Sequence, residues 1–577
     1  MKLNASGGMP RPSLPVSTAL AVVVLSACSS ASPTGVGPVT PAGAAGAGEW
    51  VNHGGDLAET RYSALDQITS DNVASLELAW SYRIPRMGAR LEATPLIVDG
   101  VMYATGPMSS VYALDAVSGD QLWWWDPAIP AERQGGPRAC CGDVNRGVAL
   151  YDDKIYVGLL DGRLVALNRA DGSIAWSVQT TPPGADYSIT GAPRVFRGRV
   201  VIGNGGAEYG VRGYVTAYDA ETGDQLWRTY TVPGDPADGF EDEAMRRAAE
   251  TWTGEWWRAG GGGTVWDAMA YDPAANLLYI GTGNGSPWSR DHRSPGGGDN
   301  LYLSSIVALD GDSGEYVWHY QTTPGDDWDY TATQPLMLLD LDIEGRQRPV
   351  IVQAPKNGFF FVVDRLTGEF ISAGKFGDDV TWATHVDPAT GRPVETPEAR
   401  YGMNKQGAWL APGPTGSHNW RPMAWNADTG LVYLPTQNNN SFYEMIDELE
   451  YTPGVWNTGT TLLGGQRGPR PPRPALTGPT AALKAWDPVE QREVWRVATA
   501  GDNGGTLSTA GNLVFWGSES RLLALDARTG AELWAAEVGR GTATPVTYSI
   551  DGVQYLSVAG GRGDADPPTV WTFRLGG

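Results

Sequence analysis

A short unit that recurs along the chain limits the folds it can adopt. The unit has the form Ala-x-Asp-x-x-x-Gly-x-x-x-Trp, and its four full copies end at Trp123, Trp227, Trp318 and Trp534. Variants end at Trp176 and Trp495, and a degenerate first copy ends at Trp80. In one more variant, Ser372 takes the place of the tryptophan. Each copy predicts two strands joined by a turn, because aspartate bonds its own backbone in such turns and glycine supplies a positive φ.

Eight such units predict an all-β fold, an eight-bladed β-propeller with tryptophan-docking repeats. A sheet of this size cannot bury both faces alone, so neighbouring sheets must stack, with the indole of one covering the backbone of the next. A propeller arranges such sheets around one axis and leaves only short, protected edges. We expect the ring to close where the C-terminal strand 570–574 pairs with residues near Trp50.

Two insertions interrupt the repeat, across 231–263 and across 373–480. They contain the only helix-like stretch, Asp242–Glu255, and a segment rich in Gly, Pro and Arg at 464–474. We interpret both insertions as loops on one propeller face that shape a site. The insertion residues expected to set the size of that site are Trp420, Trp425 and 438–460.

The N-terminus indicates export. Lys2 and Arg11 precede an apolar run at 19–25 that is too short to span a bilayer. The run ends in Leu-Ser-Ala-Cys28, which resembles the bacterial lipoprotein box, although an ordinary signal peptide with a chance cysteine is the alternative. We expect a lipoprotein-type signal peptide over 1–28, a flexible tether over 29–48 and a propeller domain over 49–577. The protein would then be periplasmic and anchored through Cys28 to the outer or inner membrane.

Composition argues against several classes of function. The formal net charge of −23 disfavours nucleic acid and anionic lipid surfaces, and it suits a basic protein partner. The five histidines are scattered and form no His-Glu-x-x-His motif, which argues against a zinc hydrolase. Glycine-rich runs precede no Lys-Ser/Thr pair, which argues against nucleotide binding.

Cys140 and Cys141 are adjacent and are the only cysteines besides Cys28. A disulfide between them would be strained, because neighbouring Cα atoms lie about 3.8 Å apart, below the usual span of roughly 4.4–6.8 Å. It would close no loop, so stability is a poor reason for it. An oxidising compartment permits such a bond. From the residues alone, two buried reduced cysteines remain the alternative.

The repeat, the adjacent cysteines and the propeller together resemble the quinoprotein alcohol dehydrogenases, which use pyrroloquinoline quinone (PQQ) and calcium. The likeness covers nearly the whole chain. In Cys140-Cys141-x-x-Val-Asn-Arg146 it implies a vicinal disulfide on one face of the quinone and an arginine on a cofactor carboxylate. Thr264-Val-Trp266 is similar to the stretch whose tryptophan stacks under the quinone. Other quinone contacts that the resemblance implies are Glu92, Thr190, Lys356 and Asn419.

Three further motifs imply metal ligands and a base. Gly206-Ala207-Glu208 is similar to the segment that contacts the cofactor and supplies a calcium-binding glutamate. The segment containing Asn284 resembles the one that supplies an asparagine ligand to the metal. The segment containing Asp329 resembles the one that carries the catalytic aspartate, and we expect Asp329 to bind the metal as well. The chemistry agrees, since calcium prefers hard oxygen donors and an ionised carboxylate can remove the hydroxyl proton of an alcohol.

Departures from the family pattern narrow the expectation. Gly205 stands where a serine is frequent, so one hydroxyl contact to the cofactor is missing. Relatives that use a lanthanide carry an aspartate where this chain has Thr331, which favours calcium. The printed sequence has no Cys-x-x-Cys-His haem motif, so we expect electrons to leave to an external cytochrome c. A non-catalytic, lipid-anchored propeller scaffold and a quinoprotein sugar or polyol dehydrogenase are the alternatives.

Overall fold

The structure, a computed structural model, describes residues 48–85, 90–130, 142–404, 406–463, 470–501 and 503–576. The predicted signal peptide with Cys28, nearly all of the tether, and the pair Cys140 and Cys141 lie outside the described residues. Within those ranges, no helix is both long enough and apolar enough to cross a membrane.

Eight antiparallel sheets form the blades of a propeller, which confirms the predicted fold. Blades 1 to 4 contain the strands Leu96–Val98, Val101–Thr105, Val111–Asp115 and Gln121–Trp125; Ala149–Tyr151, Lys154–Gly158, Arg163–Asn168 and Ile174–Gln179; Arg194–Phe196, Arg199–Gly203, Tyr214–Asp219 and Gln225–Tyr230; and Met269–Asp272, Leu277–Gly281, Ser305–Asp310 and Tyr316–Gln321. Blades 5 and 6 contain Leu336–Ile343, Arg346–Gln353, Phe359–Asp364 and Phe370–Lys375, and Ala424–Asn426, Leu431–Gln437, Ala481–Asp487 and Arg492–Thr499. Blade 7 contains Asn503–Thr509, Leu513–Ser518, Arg521–Asp526 and Glu532–Glu537, with Tyr62–Ser63 added in parallel.

Blade 8 closes the ring with strands from both ends of the chain, but not where we expected. Its strands Val546–Ile550, Val553–Gly560 and Thr569–Leu575 are completed by Leu76–Arg83, which pairs antiparallel with the last of them. The predicted partner near Trp50 is wrong, because Trp50 bridges Ile97 of blade 1 instead. The strand that closes the ring contains the end of the degenerate first copy of the repeat. It therefore supplies Trp80 as the outer tryptophan of blade 8, whose other three strands come from the C-terminal end of the chain.

Six of the seven outer tryptophans pack on the turn glycine of the next blade, as the repeat predicts. Trp534 is the exception, because the last two strands of blade 8 come from opposite ends of the chain and share no turn. A Cβ atom added to Gly119 would lie 2.6 Å from the indole of Trp80, and one added to Gly530 would lie 2.6 Å from that of Trp495. The one blade without this tryptophan faces the one repeat turn without the glycine. There Gln491, at φ 52°, donates from Nε2 to Ser372 Oγ at 3.0 Å, so a hydrogen bond replaces the indole contact.

The helices differ from the prediction in number and in length. The expected helix forms over Glu243–Ala249 and ends six residues before the predicted end at Glu255, and Asp242 caps it by accepting from the Met245 N–H. Two four-residue helices, Arg290–Arg293 and Tyr401–Asn404, were not predicted, because each is a single turn too short to show a period. Single 3-10 turns lie at Val73–Ser75, Pro107–Ser109, Ala207–Tyr209, Pro236–Asp238, Trp256–Ala259 and Thr461–Leu463.

The insertions differ in what they do. The first packs on itself around Trp252 and Trp256, which bury against Val232 and Leu303, and it contributes no lining to the main cavity. The second adds the paired strands Ala383–Val386 with Pro393–Glu395 and Ala408–Leu410 with Ser441–Tyr443. Gly261–Gly262 and Gly285–Ser286 form one more short pair. Only the second insertion therefore shapes the site, which corrects part of the prediction.

The segment 50–63 crosses several blades before the first full one begins. Its carbonyls accept backbone hydrogen bonds from four successive blades, namely Leu57 from Tyr271, Ala58 from Leu338, Thr60 from Trp425 and Arg61 from Ser508. This N-terminal segment therefore fastens blades 4 to 7 together.

Candidate active site

One cavity of about 360 Å³ gathers all twelve predicted site residues that the structure describes. They are Glu92, Arg146, Thr190, Gly206, Ala207, Glu208, Thr264, Trp266, Asn284, Asp329, Lys356 and Asn419. Most come from the connections that precede the first strands of blades 1 to 6, and the rest from loops inside blades 3 to 5. The volume is within the range of roughly 300–1,000 Å³ that holds small molecules in proteins.

Arg146 organises one side of the cavity. Its Nη2 lies 2.8 Å from Glu92 Oε2, its Nη1 donates to Thr190 Oγ1 at 2.7 Å, and its guanidinium lies 4.8 Å from the centre of the Trp266 ring. Asp267 Oδ2 lies 3.7 Å from Nε. Burial raises the pKa of both carboxyl groups, Glu92 and Asp267, while Arg146 opposes that rise. Among the described residues, the buried Nε has no hydrogen-bond partner, and Arg146 brings a buried positive charge to this wall of the cavity.

Asp267 connects this side to a buried charged cluster that sequence reasoning missed. It also lines a second cavity, of about 10 Å³, together with His53, Glu59, Arg61 and Arg194. Glu59 and Arg194 form an ion pair at 2.7 Å. Burial lowers the pKa of His53 well below its ordinary value, and the nearby arginines lower it further. The N-terminal segment thus supplies charges beside Asp267, which is a non-local contact without a motif.

Glu208 and Asn284 meet on another side of the cavity. Glu208 Oε1 accepts from Asn284 Nδ2 at 2.9 Å and from Trp288 Nε1 at 3.1 Å. Glu208 lies on a 3-10 turn that begins after Gly206, whose φ of 109° favours glycine. A Cβ atom on Gly206 would lie 2.5 Å from the Asp186 carbonyl oxygen, so no side chain fits there. This local backbone holds the carboxylate toward the cavity.

Asp329 and Lys356 form a buried pair. Lys356 Nζ donates to Asp329 Oδ2 at 2.9 Å, and the two side chains are 8% and 12% exposed, respectively. Burial raises the pKa of Asp329 well above its ordinary value; Lys356 opposes this and Glu208 adds to it. The pair therefore provides a carboxylate of raised basicity within reach of a ligand in the cavity.

The residue set fits PQQ with calcium. PQQ is a planar quinone that carries three carboxylates, and the cavity offers the flat indole of Trp266 and the cations Arg90, Arg146, Lys356 and Arg421. Two carboxylates and one amide, on Glu208, Asp329 and Asn284, provide the hard oxygen donors that calcium prefers. In the described ranges, no group of three or more His, Cys, Asp or Glu residues could hold a metal ion alone. Bound PQQ would therefore complete the coordination shell of the calcium ion.

Several lining residues were not predicted, and one of them is Trp288. Its ring lies 6.3 Å from that of Trp456, which lines the cavity as expected for the range 438–460. Trp420 lines it as expected, but Trp425 does not; it lies on the strand Ala424–Asn426 and packs against the core of blades 5 and 6. The remaining unpredicted lining residues are Arg90, Ser188, Thr415, Arg421 and Gln437. Trp456 comes from an insertion without a repeat, so the sequence predicted only the range 438–460 that contains it.

Comparisons with known proteins agree with this site. The family model for the PQQ glucose/ethanol/alcohol dehydrogenase β-propeller domain matches residues 50–373 and 476–556. The quinohemoprotein alcohol dehydrogenase of Comamonas testosteroni is 51% identical over 565 residues, which cover 93% of this chain and 77% of the relative. Quinohemoprotein alcohol dehydrogenase ADH IIB of Pseudomonas putida is 53% identical over 520 residues, which cover 89% and 74%.

Solved structures show the same relationship. The crystal structure of the Comamonas testosteroni enzyme superposes with a TM-score of 0.86 at 50% identity and covers 92% of this chain and 81% of that chain. A europium-containing methanol dehydrogenase superposes with a TM-score of 0.83 at 32% identity and covers 92% and 98%. The chain therefore belongs to the PQQ-dependent alcohol dehydrogenases, the family that its repeat and motifs resemble.

Proposed function

We propose that this protein oxidises an alcohol to an aldehyde or ketone in the periplasm, using PQQ and calcium, with Asp329 as the base and an external cytochrome c as the electron acceptor. One observation carries the proposal. The Asp329–Lys356 pair, at 2.9 Å, shares a single cavity with Glu208 and Asn284. A non-catalytic scaffold would have no use for this combination.

Different residues of the cavity would bind the metal and the separate parts of the cofactor. When bound, PQQ with calcium would supply an electron-poor quinone able to accept the two electrons of the oxidation as a hydride from the alcohol carbon. Glu208, Asn284 and Asp329 would hold the calcium through oxygen atoms. Arg146 would bind a carboxylate of the cofactor and Trp266 would support its flat face. We assign the opposite face to a disulfide between Cys140 and Cys141, which lie outside the described residues.

Asp329 takes the hydroxyl proton of the alcohol. Lys356 donates to its Oδ2, so we assign Oδ1 to the substrate hydroxyl. Burial makes this carboxylate more basic than an ordinary aspartate, which favours proton removal, and the lysine keeps it oriented.

Replacing the base tests this role. We expect Asp329→Asn to retain calcium-dependent PQQ binding and to lower kcat by about 100-fold or more, since general-base catalysis contributes roughly that much. Asp327→Asn is the matched control, because Asp327 is a buried carboxylate of the same loop that does not line the cavity. Turnover close to that of the wild type in Asp329→Asn would remove Asp329 as the base.

The cavity walls favour alcohols larger than methanol. Trp288, Trp420 and Trp456 supply aromatic surface that a longer alkyl chain can bury. A relative that is 48% identical, from Thauera butanivorans, is named 1-butanol dehydrogenase (cytochrome c). We expect kcat/KM to rise from methanol to butanol in a panel of primary and secondary alcohols, and turnover of methanol alone would contradict this.

The acceptor and the location follow from charge and from the leader. A net charge of −23 suits a basic cytochrome c. We expect the rate of cytochrome c reduction to fall as ionic strength rises, and a rate independent of salt would argue against a charged encounter. For the anchor, Cys28→Ser should release the protein from the membrane fraction of cells, whereas an unchanged distribution would argue against lipidation.

A further inference from the structure

Arg293 is a buried arginine that the proposed chemistry does not use. It is 1% exposed, and none of its hydrogen bonds within the described part of the chain goes to a carboxylate. Its guanidinium instead donates to backbone carbonyls, through Nη1 to Pro287 at 2.5 Å and Trp288 at 2.8 Å, and through Nη2 to Asp326 at 2.5 Å. Nε and Nη2 also reach Asn300 Oδ1, at 3.2 and 3.1 Å. A buried cation with so many carbonyl contacts fixes backbone rather than charge.

The carbonyls that Arg293 holds belong to two loops that reach the cavity. The first, 284–288, carries Asn284 and Trp288, and both of these donate to Glu208. The second, 324–330, carries Asp329. Arg293 therefore ties together the backbones on which the proposed calcium ligands stand.

The second loop is held at five consecutive carbonyls by four buried side chains. Arg400 donates to the carbonyls of Pro324 and Gly325, Arg293 to that of Asp326, Tyr401 to that of Asp327 and Tyr443 to that of Trp328. Among the described contacts of these four side chains, only those of Arg293 extend to the 287–288 carbonyls. The other three fix the shape of one loop, whereas Arg293 sets its separation from the other loop.

We propose that Arg293 is a positioning residue that sets the distance between Asn284 and Asp329 and thereby the affinity for calcium. The inference rests on the proposed PQQ and calcium function. A lysine cannot replace the arginine, because a single ammonium lacks the planar fork that reaches both loops. The packing leaves no slack, since a Cβ atom on Gly285 would lie 2.3 Å from the guanidinium carbon.

The test measures metal affinity rather than turnover. The full chain is prepared without cofactor, PQQ is added, and quenching of tryptophan fluorescence is followed as Ca²⁺ is titrated. We expect Arg293→Lys to need about 10- to 100-fold more Ca²⁺ for half-maximal quenching, the usual loss when support of a metal ligand is removed, and to recover full quenching at high Ca²⁺. Recovery distinguishes misplaced ligands from a damaged fold.

A matched control separates positioning from stability. Arg365 is equally buried and pairs with Asp272 and Asp340, but its contacts do not include cavity residues in the described structure. Arg365→Lys should lower Tm and leave the Ca²⁺ dependence within about twofold of the wild type. If Arg293→Lys fails to fold, Asn300→Gly decides, because it removes the acceptor that orients Arg293 while glycine accepts the φ of 54° found there.

The outcomes are distinct. A Ca²⁺ dependence like that of the wild type in a folded Arg293→Lys protein, or in Asn300→Gly when the lysine variant does not fold, would overturn the positioning role alone. Wild-type protein that binds PQQ with no Ca²⁺ dependence would instead overturn the proposed calcium site, and the inference with it.

Discussion

Gly205 and Gly206 are neighbours on the cavity wall but tolerate side chains differently. A Cβ atom on Gly205 would lie 3.4 Å from the nearest atoms, those of Ser188, which is ordinary contact. On Gly206 it would lie 2.5 Å from the Asp186 carbonyl, at a φ of 109°. We expect Gly205→Ser to fold and bind PQQ at least as well as the wild type, and Gly206→Ala to lose binding. Thermal melts and fluorescence quenching check both; equal behaviour of the two variants would contradict the difference in space.

His319 makes folding depend on pH. Burial lowers its pKa from 6.5 to about 4, and Arg247 contributes to that decrease. The folded protein holds the ring neutral, whereas the unfolded chain takes up a proton below pH 6.5, so this contribution to stability is lost as pH falls from 6.5 toward 4. His319→Phe should therefore lose less stability than the wild type between pH 7.5 and 4.5 in urea denaturation. Equal losses of stability in the variant and the wild type would rule out His319 as a source of the pH dependence.

For single residues, the sequence could predict contacts that lie within a motif but not contacts between distant parts of the chain. Glu208 and Trp266 sit in short segments that bring their own turns, and both line the cavity. Asp267 and Arg293 make their contacts with distant parts of the chain, so their neighbours could not be read from spacing. The roles of the residues that line the cavity stay predictions.

At the scale of elements, the contact between a tryptophan and the turn glycine of the next blade is the repeated joint. Gly530 meets Trp495 in this way, at a φ of 74°, whereas Gly552 has a φ of 77° and open space around its Cβ position. Both would suffer the same backbone strain as alanine, so the difference between Gly530→Ala and Gly552→Ala isolates the contact with the indole. We expect the free energy of unfolding of Gly530→Ala, measured by urea denaturation, to be about 1–3 kcal/mol lower than that of Gly552→Ala. Equal losses would show that the indole contact contributes nothing.

The strands themselves were predictable because the repeat marks them, but their pairing was not always so. The C-terminal strand was identified, yet its partner proved to be Leu76–Arg83 rather than residues near Trp50. Several early segments could have paired with it by alternation alone, and only the copy ending at Trp80 carries the outer-strand tryptophan. The exception at Ser372 and Gln491 likewise shows that two departures from the repeat can compensate each other.

At the scale of the whole molecule, the propeller explains how distant residues form one site. Connections that enter six successive blades deliver residues to the same cavity, and the segment 50–63 fastens four of the blades together. The eight-fold repeat predicted this architecture, whereas the shape of the cavity depends on the second insertion, which has no period. Substrate choice is therefore the property that the sequence constrains least.

We propose that this cavity holds PQQ with calcium and that the protein oxidises an alcohol there. The most direct measurement is an absorption titration of the purified protein with PQQ at fixed Ca²⁺ concentrations, followed by dye-linked oxidation of a mixed alcohol panel. We expect a saturable quinone band that requires Ca²⁺, together with dye reduction that requires both alcohol and PQQ. Failure to retain PQQ at any Ca²⁺ concentration would contradict it.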